Sequence, residues 1–334
     1  MPRIHYRDCA FDRTFSNLCR HWNHSKSILT QLHRKLDGVL ANPGISVSVA
    51  GSFGRYEAGD ASDLDFLIIA EDNADTRDVY NHVVRAATEL KVTLPNPDGV
   101  FSRVVPLSDL IRKLGDKEEK TSELAQRLLL LLEATPLHNA EFHDQAVNAI
   151  LERYLDLHRE SPQREAVILL NDLIKYFRHV CVNYQNNFWR PEEKDKWGSR
   201  NIKLRHSRVI MYAGLLLPIL NASRNKENNV SYENKVRYFR DIIAMTPLER
   251  IVHVMAENGY DPTPVLACYD HFIGLMNQRK IRDALVGVEY LHRGDNRAYG
   301  VLKKNSDELL RYLTDFVLDM RGVWSHEAFE YLIF

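Results

Sequence analysis

The spacing of apolar residues changes along this chain and divides it into stretches of different expected structure. Over residues 11–41, Phe15, Leu18, Trp22, Ile28, Leu29, Leu32, Leu36 and Leu40 recur near helical spacing, and Asn42-Pro43-Gly44 ends the run, which predicts a helix packed on a sheet. The period then drops to two. Ile45, Val47 and Val49 alternate with Ser46, Ser48 and Ala50 up to Gly51, a strand whose two faces differ. Phe66 to Ile69 form a short apolar run of the kind that makes a buried strand. Asp75 to Leu90 carries Val79, Val83, Val84, Ala87 and Leu90 on one helical face, as a crossover helix between strands does. Pro95, Pro97 and Gly99 break the next stretch, and a short strand is expected around Val100 to Val105.

From about residue 107 onward the pattern is helical and no convincing strand is visible. Helices are expected over Leu107–Leu114, Thr121–Ala134, Glu141–Leu157, Gln163–Tyr184, Tyr238–Ile243, Leu248–Met255, Pro264–Met276, Ala284–Leu291 and Leu309–Leu318, with a polar loop at Asn221–Asn229. The fold class that follows is α/β (α+β): a domain with a small mixed sheet over 1–115, then a larger all-α domain over 116–334. Trp324, Phe329, Tyr331, Leu332, Ile333 and Phe334 make the terminus apolar. It is therefore expected to dock on the protein's own core or to join a second copy through the helical domain.

Composition removes several classes of function. The 44 basic and 45 acidic residues leave a formal net charge of -1, so no global field gathers nucleic acid or membrane and any such contact must be local. The four cysteines, at 9, 19, 181 and 268, have neither disulfide-framework nor zinc-ligand spacing. Apolar runs such as Leu128–Leu132 and Ala213–Leu220 fall short of the roughly 20 residues a membrane helix needs, and MPRIHYRDC lacks a signal-peptide core. A soluble cytoplasmic protein with no membrane partner is expected. His21, His24 and His33 lie on the first helix without a matching carboxylate motif, and no role is assigned to them.

The candidate chemistry lies in residues 45–69, ISVSVAGSFGRYEAGDASDLDFLII. Gly51-Ser52 removes side-chain bulk where backbone must approach a ligand, and Phe53 to Glu57 is placed to open a helix whose free amides face an anion. Asp63 and Asp65, two apart at the entrance of the second strand, share a face. Two converging carboxylates need a cation, and hard oxygen ligands suit Mg2+ (or Mn2+) bridged to substrate phosphates. The bland alternative is that Asp63 and Asp65 merely terminate a turn.

Gly51-Ser-Phe-Gly-Arg-Tyr-Glu57 followed by Ser62-Asp-Leu-Asp65 resembles the signature of the polymerase-beta-like nucleotidyltransferase superfamily. Within it the match is most similar to the PII-uridylyltransferase-like branch, without the hydrolase and effector regions of those larger enzymes. The resemblance covers roughly residues 45–135. It implies a nucleotidyltransferase domain in which Asp63 and Asp65 bind metal and are catalytic, while Gly51 and Ser52 hold the phosphates of an NTP substrate. Arg55 and Glu57 would order the turn, and Arg55 would also be placed to neutralise phosphate. The superfamily usually carries a third acid on the later strand, where Phe101, Ser102, Arg103 and Val104 supply none. Asp98 is the nearest acid and the nominee; a plain Asp-Gly turn is its alternative reading.

Two helical stretches are candidates for reaching the nucleotide. Asp172, Lys175 and Arg178 share one helix face, and Arg200, Lys203, Arg205 and Arg208 form a dense basic run before an apolar segment. In the family the helical domain often supplies such cations to the triphosphate, which makes Lys175 and Lys203 the candidates; a solvated face is the alternative. The acceptor is a protein, RNA or small-molecule hydroxyl. Two other functions stay open: a nucleotide-binding sensor or toxin-antitoxin module with a decayed site, and a ribonuclease resembling HEPN domains through Arg200-Asn201 with His206, or Arg321 with His326, a permissive motif.

Overall fold

The alternation at Ile45–Val49 is the feature around which the sheet forms. The computed structural model describes residues 14–40, 42–95, 104–160, 166–186, 195–224 and 231–333. The sheet-bearing part contains α1 (Ser16–Asp37), β1 (Ile45–Val49), α2 (Gly51–Gly54), β2 (Phe66–Ala70), α3 (Val79–Glu89), β3 (Val104–Pro106) and α4 (Leu107–Arg112). It continues through α5 (Thr121–Glu133), β4 (Thr135–His138) and α6 (Ala140–Leu155). The strand order is β3-β2-β1-β4. β1 is antiparallel to β2 and β4, and β2 is parallel to β3, so the sheet is mixed.

The register Ile45↔Ala70, Val47↔Ile68 and Val49↔Phe66 puts all six side chains on one face. That face is covered by Leu29, Leu32 and Leu36 of α1 and by Val79, Val83, Ala86 and Ala87 of α3, where each fully buried large aliphatic contributes about 1.5–3 kcal/mol. Ser46 and Ser48 point the other way and are also buried, which is affordable because both hydroxyls are used. Ser46 Oγ donates to the His138 carbonyl at 3.1 Å, and Ser48 Oγ lies 2.8 Å from His143 Nδ1 on α6. Burial pushes His143 down to about 4.

The expectation of no strand beyond 107 is corrected by β4. Its four residues include Pro136, which cannot donate to a ladder and is therefore tolerated at the sheet edge that β4 forms. A strand this short leaves no readable period. The sheet-bearing unit also runs past residue 115. By compactness the chain divides into Arg20–Ile168 with Asn229–Thr246, and Leu169–Asn228 with Pro247–Phe334 and the segment ending at Cys19. The first unit regains α10 (Tyr232–Ile243), which packs on α6.

Every described element of the second unit is helical. It contains α7 (Val167–Asn186, from Leu169), α8 (Trp197–Lys203), a π turn (Leu204–Arg208), α9 (Val209–Asn221), α11 (Pro247–Glu257), α12 (Thr263–Asn277), α13 (Arg279–Leu285), α14 (Arg297–Asp319) and α15 (His326–Ile333). α9 packs along α11, and the approach is close enough that a Cβ on Gly214 would meet Pro247 Cα at 2.6 Å. The first turn of α1 is tied in by Asp270, which accepts from Asn17 Nδ2 and Leu18 N at 2.8 and 2.9 Å.

The helix expected at Ala284–Leu291 is displaced. α13 ends at Leu285, and the chain turns at Gly287 with φ +73, a left-handed value that glycine adopts without cost. Val286 and Leu291, beyond the end of α13, are exposed. Trp324 docks the apolar terminus within its own unit. It is buried, its Nε1 donates to Asn221 Oδ1 at 3.2 Å, and it meets Phe316 edge-on at 5.6 Å. Among the described residues no helix is long and apolar enough to cross a membrane.

Candidate functional site

β1 ends in a single helical turn rather than the helix expected to run on to Glu57. Gly51 takes φ +61, Gly54 N and Arg55 N donate back to the Ala50 and Gly51 carbonyls at 3.0 and 3.1 Å, and Tyr56 at φ 58 ends the turn. Tyr56 tolerates this left-handed position while its ring stacks on Trp22 with centroids 4.0 Å apart. His21 has a structural role at the exit. Its Nδ1 lies 3.1 Å from both the Glu57 and Ala58 carbonyls, which assigns the proton to that nitrogen.

The two aspartates lie where the turn meets β2. Ala50 N donates to the Asp65 carbonyl and Leu64 N to the Thr93 carbonyl, both at 2.8 Å, which holds residues 63–65 extended. Leu64 is fully buried, Asp63 is exposed and Asp65 is half-buried, so the carboxylates share the side opposite Leu64. Asp65 reaches over the glycine turn: a Cβ on Gly51 would lie 2.5 Å from Asp65 Oδ2. The absence of a side chain at Gly51 is therefore what admits the carboxylate.

The Gly51 amide is not aimed at solvent. It donates to Glu133 Oε1 at 3.2 Å, and the other carboxylate oxygen of Glu133 pairs with Arg55 Nη1. Arg55 Nε donates to Glu57 Oε2 at 2.7 Å. All three side chains are at least 94% buried. Of the two roles expected for Arg55, bracing the turn has this geometric basis, because both carboxylates already engage the guanidinium. No described backbone carbonyl outside the turn accepts from the Ser52 or Phe53 amide, and first-turn amides of this kind are the donors that a helical turn offers to an anion.

Glu133 is the residue that sequence reasoning missed. It lies 78 positions from Arg55 and belongs to no local motif. One signal was present: an acid directly after Leu128–Leu132 in a buried helix, at the C-terminal end where the helix dipole disfavours negative charge. Such an acid persists when a buried cation and an amide answer it. Glu133→Ala is expected to cost about 3–5 kcal/mol, because a buried guanidinium loses a partner, with Glu133→Gln costing less than half as much. Urea denaturation checks this, and a loss below about 1 kcal/mol would show that the brace is not needed.

The remaining candidates are not gathered at this turn by anything described. Asp98 lies outside the described residues. Lys175 and Lys203 are exposed residues of the helical unit. His206, the histidine of the ribonuclease-like spacing, is fully buried, with Nδ1 2.9 Å from the Ile202 carbonyl, Nε2 3.1 Å from Asn305 Nδ2 and its ring stacked on Phe272 at 4.2 Å. Burial brings it down to about 4, so it is a neutral packing residue near pH 7. Arg321 and His326 are exposed, and His326 Nδ1 lies 3.0 Å from Glu330 Oε1.

Among the described residues no group of three or more acidic, histidine or cysteine side chains is arranged to hold a metal. A cage made wholly by protein is therefore not the arrangement to test. Two carboxylates beside a side-chain-free backbone position fit a hard divalent ion that completes its shell with water and substrate phosphate. No protein-family profile matches the chain, and no curated protein does either.

Proposed function

We propose that the sheet-bearing unit is a metal-dependent nucleotidyltransferase that moves an NMP group from an NTP to a hydroxyl of a protein, RNA or small-molecule acceptor. The observation that carries the reading is the Asp65 carboxylate lying over Gly51, with Asp63 on the same side of the extended segment. Asp63 and Asp65 would hold Mg2+ or Mn2+, which when bound stabilises charge on the attacking and leaving oxygens. The Ser52 and Phe53 amides bind phosphate oxygen, and Glu133, Arg55 and Glu57 keep those amides in place from below. In the reaction the acceptor oxygen bonds to the α-phosphorus, the bond to the β-phosphate oxygen breaks, and pyrophosphate leaves. The hydroxyl proton passes to a general base, for which Asp98 is the nominee.

The test is incubation with each α-labelled NTP, Mg2+ or Mn2+, and a cell extract. Wild type is expected to label one macromolecule or release pyrophosphate. Chelation, Asp63→Asn and Asp65→Asn are each expected to bring this to background while the protein stays folded. Full turnover in either variant would overturn the site assignment. Metal-dependent NTP binding without pyrophosphate release would replace transfer with nucleotide sensing.

A further inference from the structure

Two side-chain contacts, Phe177 with Tyr212 and Tyr184 with Arg208, link α7 to the helical stretch made by α8, the π turn and α9, and the seam they mark joins cations to aromatic rings. Phe177 stacks on Tyr212 with centroids 4.2 Å apart and planes inclined by 16°. Two turns further along α7, the Tyr184 hydroxyl lies 3.5 Å from Arg208 Nε. Apart from Asp172, which lies on the Lys175 and Arg178 face, Leu169 to Asn186 and Trp197 to Asn221 contain no Asp or Glu. The same stretches supply Lys175, Arg178, Arg200, Lys203, Arg205 and Arg208. Arg205 is directed elsewhere, to Ser306 and Asp307 on α14.

The π turn aligns the others. His206 Nδ1 and Ser207 Oγ bond the Ile202 and Lys203 carbonyls four residues back, the pattern by which side chains compete with the regular helical ladder. One extra residue in the turn cancels about 100° of rotation. Arg200 and Arg208, eight apart, therefore project as if seven apart, close to two full turns, and fall on one face. Burial alone would raise the Tyr184 hydroxyl, yet Arg208, Lys203 and Arg200 together bring it below its ordinary value, so their fields converge on that ring. Arg178 and Lys203 are exposed, and their charges act on the rings of the seam, Arg178 on Tyr212 and Lys203 on Tyr184.

We infer that this seam binds the backbone of a single-stranded nucleic acid, with Arg178, Lys203 and Arg208 on phosphates and the half-buried Phe177 and Tyr212 rings beside the bases. A cationic track with aromatic platforms is the arrangement that takes single strands without base-edge readout. The inference goes beyond transfer chemistry and needs neither NTP nor metal.

The experiment is fluorescence anisotropy of the full chain in chelator, with a labelled oligouridine of about 16 nucleotides titrated at several salt concentrations. Wild type is expected to bind with strong salt dependence. Arg178→Glu/Lys203→Glu is expected to weaken binding more than about tenfold and to make the log–log salt slope shallower by about 1.4, the value for two single-strand phosphate contacts. Both side chains are exposed, so thermal unfolding should not change; if the double variant fails to fold, Arg178→Ala/Lys203→Ala gives the same reading. Absent wild-type binding, unchanged affinity in the folded variant, or equal affinity for a duplex would each overturn the inference. Displacement by inorganic triphosphate at concentrations well below those of competing strand would also overturn it, assigning the cations to a free nucleotide. None of these outcomes depends on Asp63 or Asp65.

Discussion

Gly54→Ala is expected to unfold the sheet-bearing unit or to destabilise it by more than about 4 kcal/mol, well beyond an ordinary substitution. A Cβ at this position would lie 2.1 Å from the Glu133 carbonyl oxygen and 2.6 Å from that of Val49. Both obstacles are backbone, so no rotamer change relieves them, and a well-packed interior transmits the strain. The carbonyl of Gly54 is fixed as well, since Thr135 Oγ1 donates to it at 2.8 Å. The turn is thus pressed between the end of β1 and the junction of α5 with β4. Gly38→Ala, where nothing lies within 4 Å of the new methyl group, is the control and is expected to stay within about 0.5 kcal/mol. Urea denaturation followed by circular dichroism decides the matter. A Gly54→Ala transition superimposable on wild type would mean that the turn does not make this close approach.

The Gly54 contacts illustrate which features the sequence carried and which it did not. β1 was legible because its period of two survives even where both faces are buried, the serines keeping the alternation and being satisfied by His138 and His143; β2 was legible as a short, wholly apolar run. Gly51, Asp63 and Asp65 were legible because residues close in sequence are brought together by local geometry alone. Glu133 was not, since nothing in α5 records that a glycine turn 82 positions earlier needs an acceptor. β4 was hidden by its length and by Pro136. The alignment of Arg200 with Arg208 was hidden for another reason: reading by helical spacing assumes a regular turn, and the π turn breaks that assumption in the middle of the basic run. Long-range partners and local departures from ideal geometry are the two things a periodicity cannot encode.

Gly51→Ala is expected to separate stability from activity at the same turn. The φ of +61 costs an L-residue about 1–2 kcal/mol, so unfolding should shift by several degrees at about 2–4 °C per kcal/mol and the protein should still fold. The new methyl group would meet Asp65 Oδ2 at 2.5 Å. That atom ends a side chain able to rotate away, which makes the clash cheap for the fold and damaging for the site. With Asp65 displaced, the proposed metal would lose one of its two protein ligands, and positioning errors of this size are costly in reactions that depend on in-line geometry. Nucleotidyl transfer is therefore expected to fall to the background of Asp65→Asn, with metal-dependent NTP binding falling alongside it. Gly54→Ala would abolish activity through loss of the fold, whereas Gly51→Ala should abolish it in a folded protein. A folded Gly51→Ala variant that transfers at the wild-type rate would show that Asp65 does not work from its position above the turn, and the metal site would then have to be sought elsewhere.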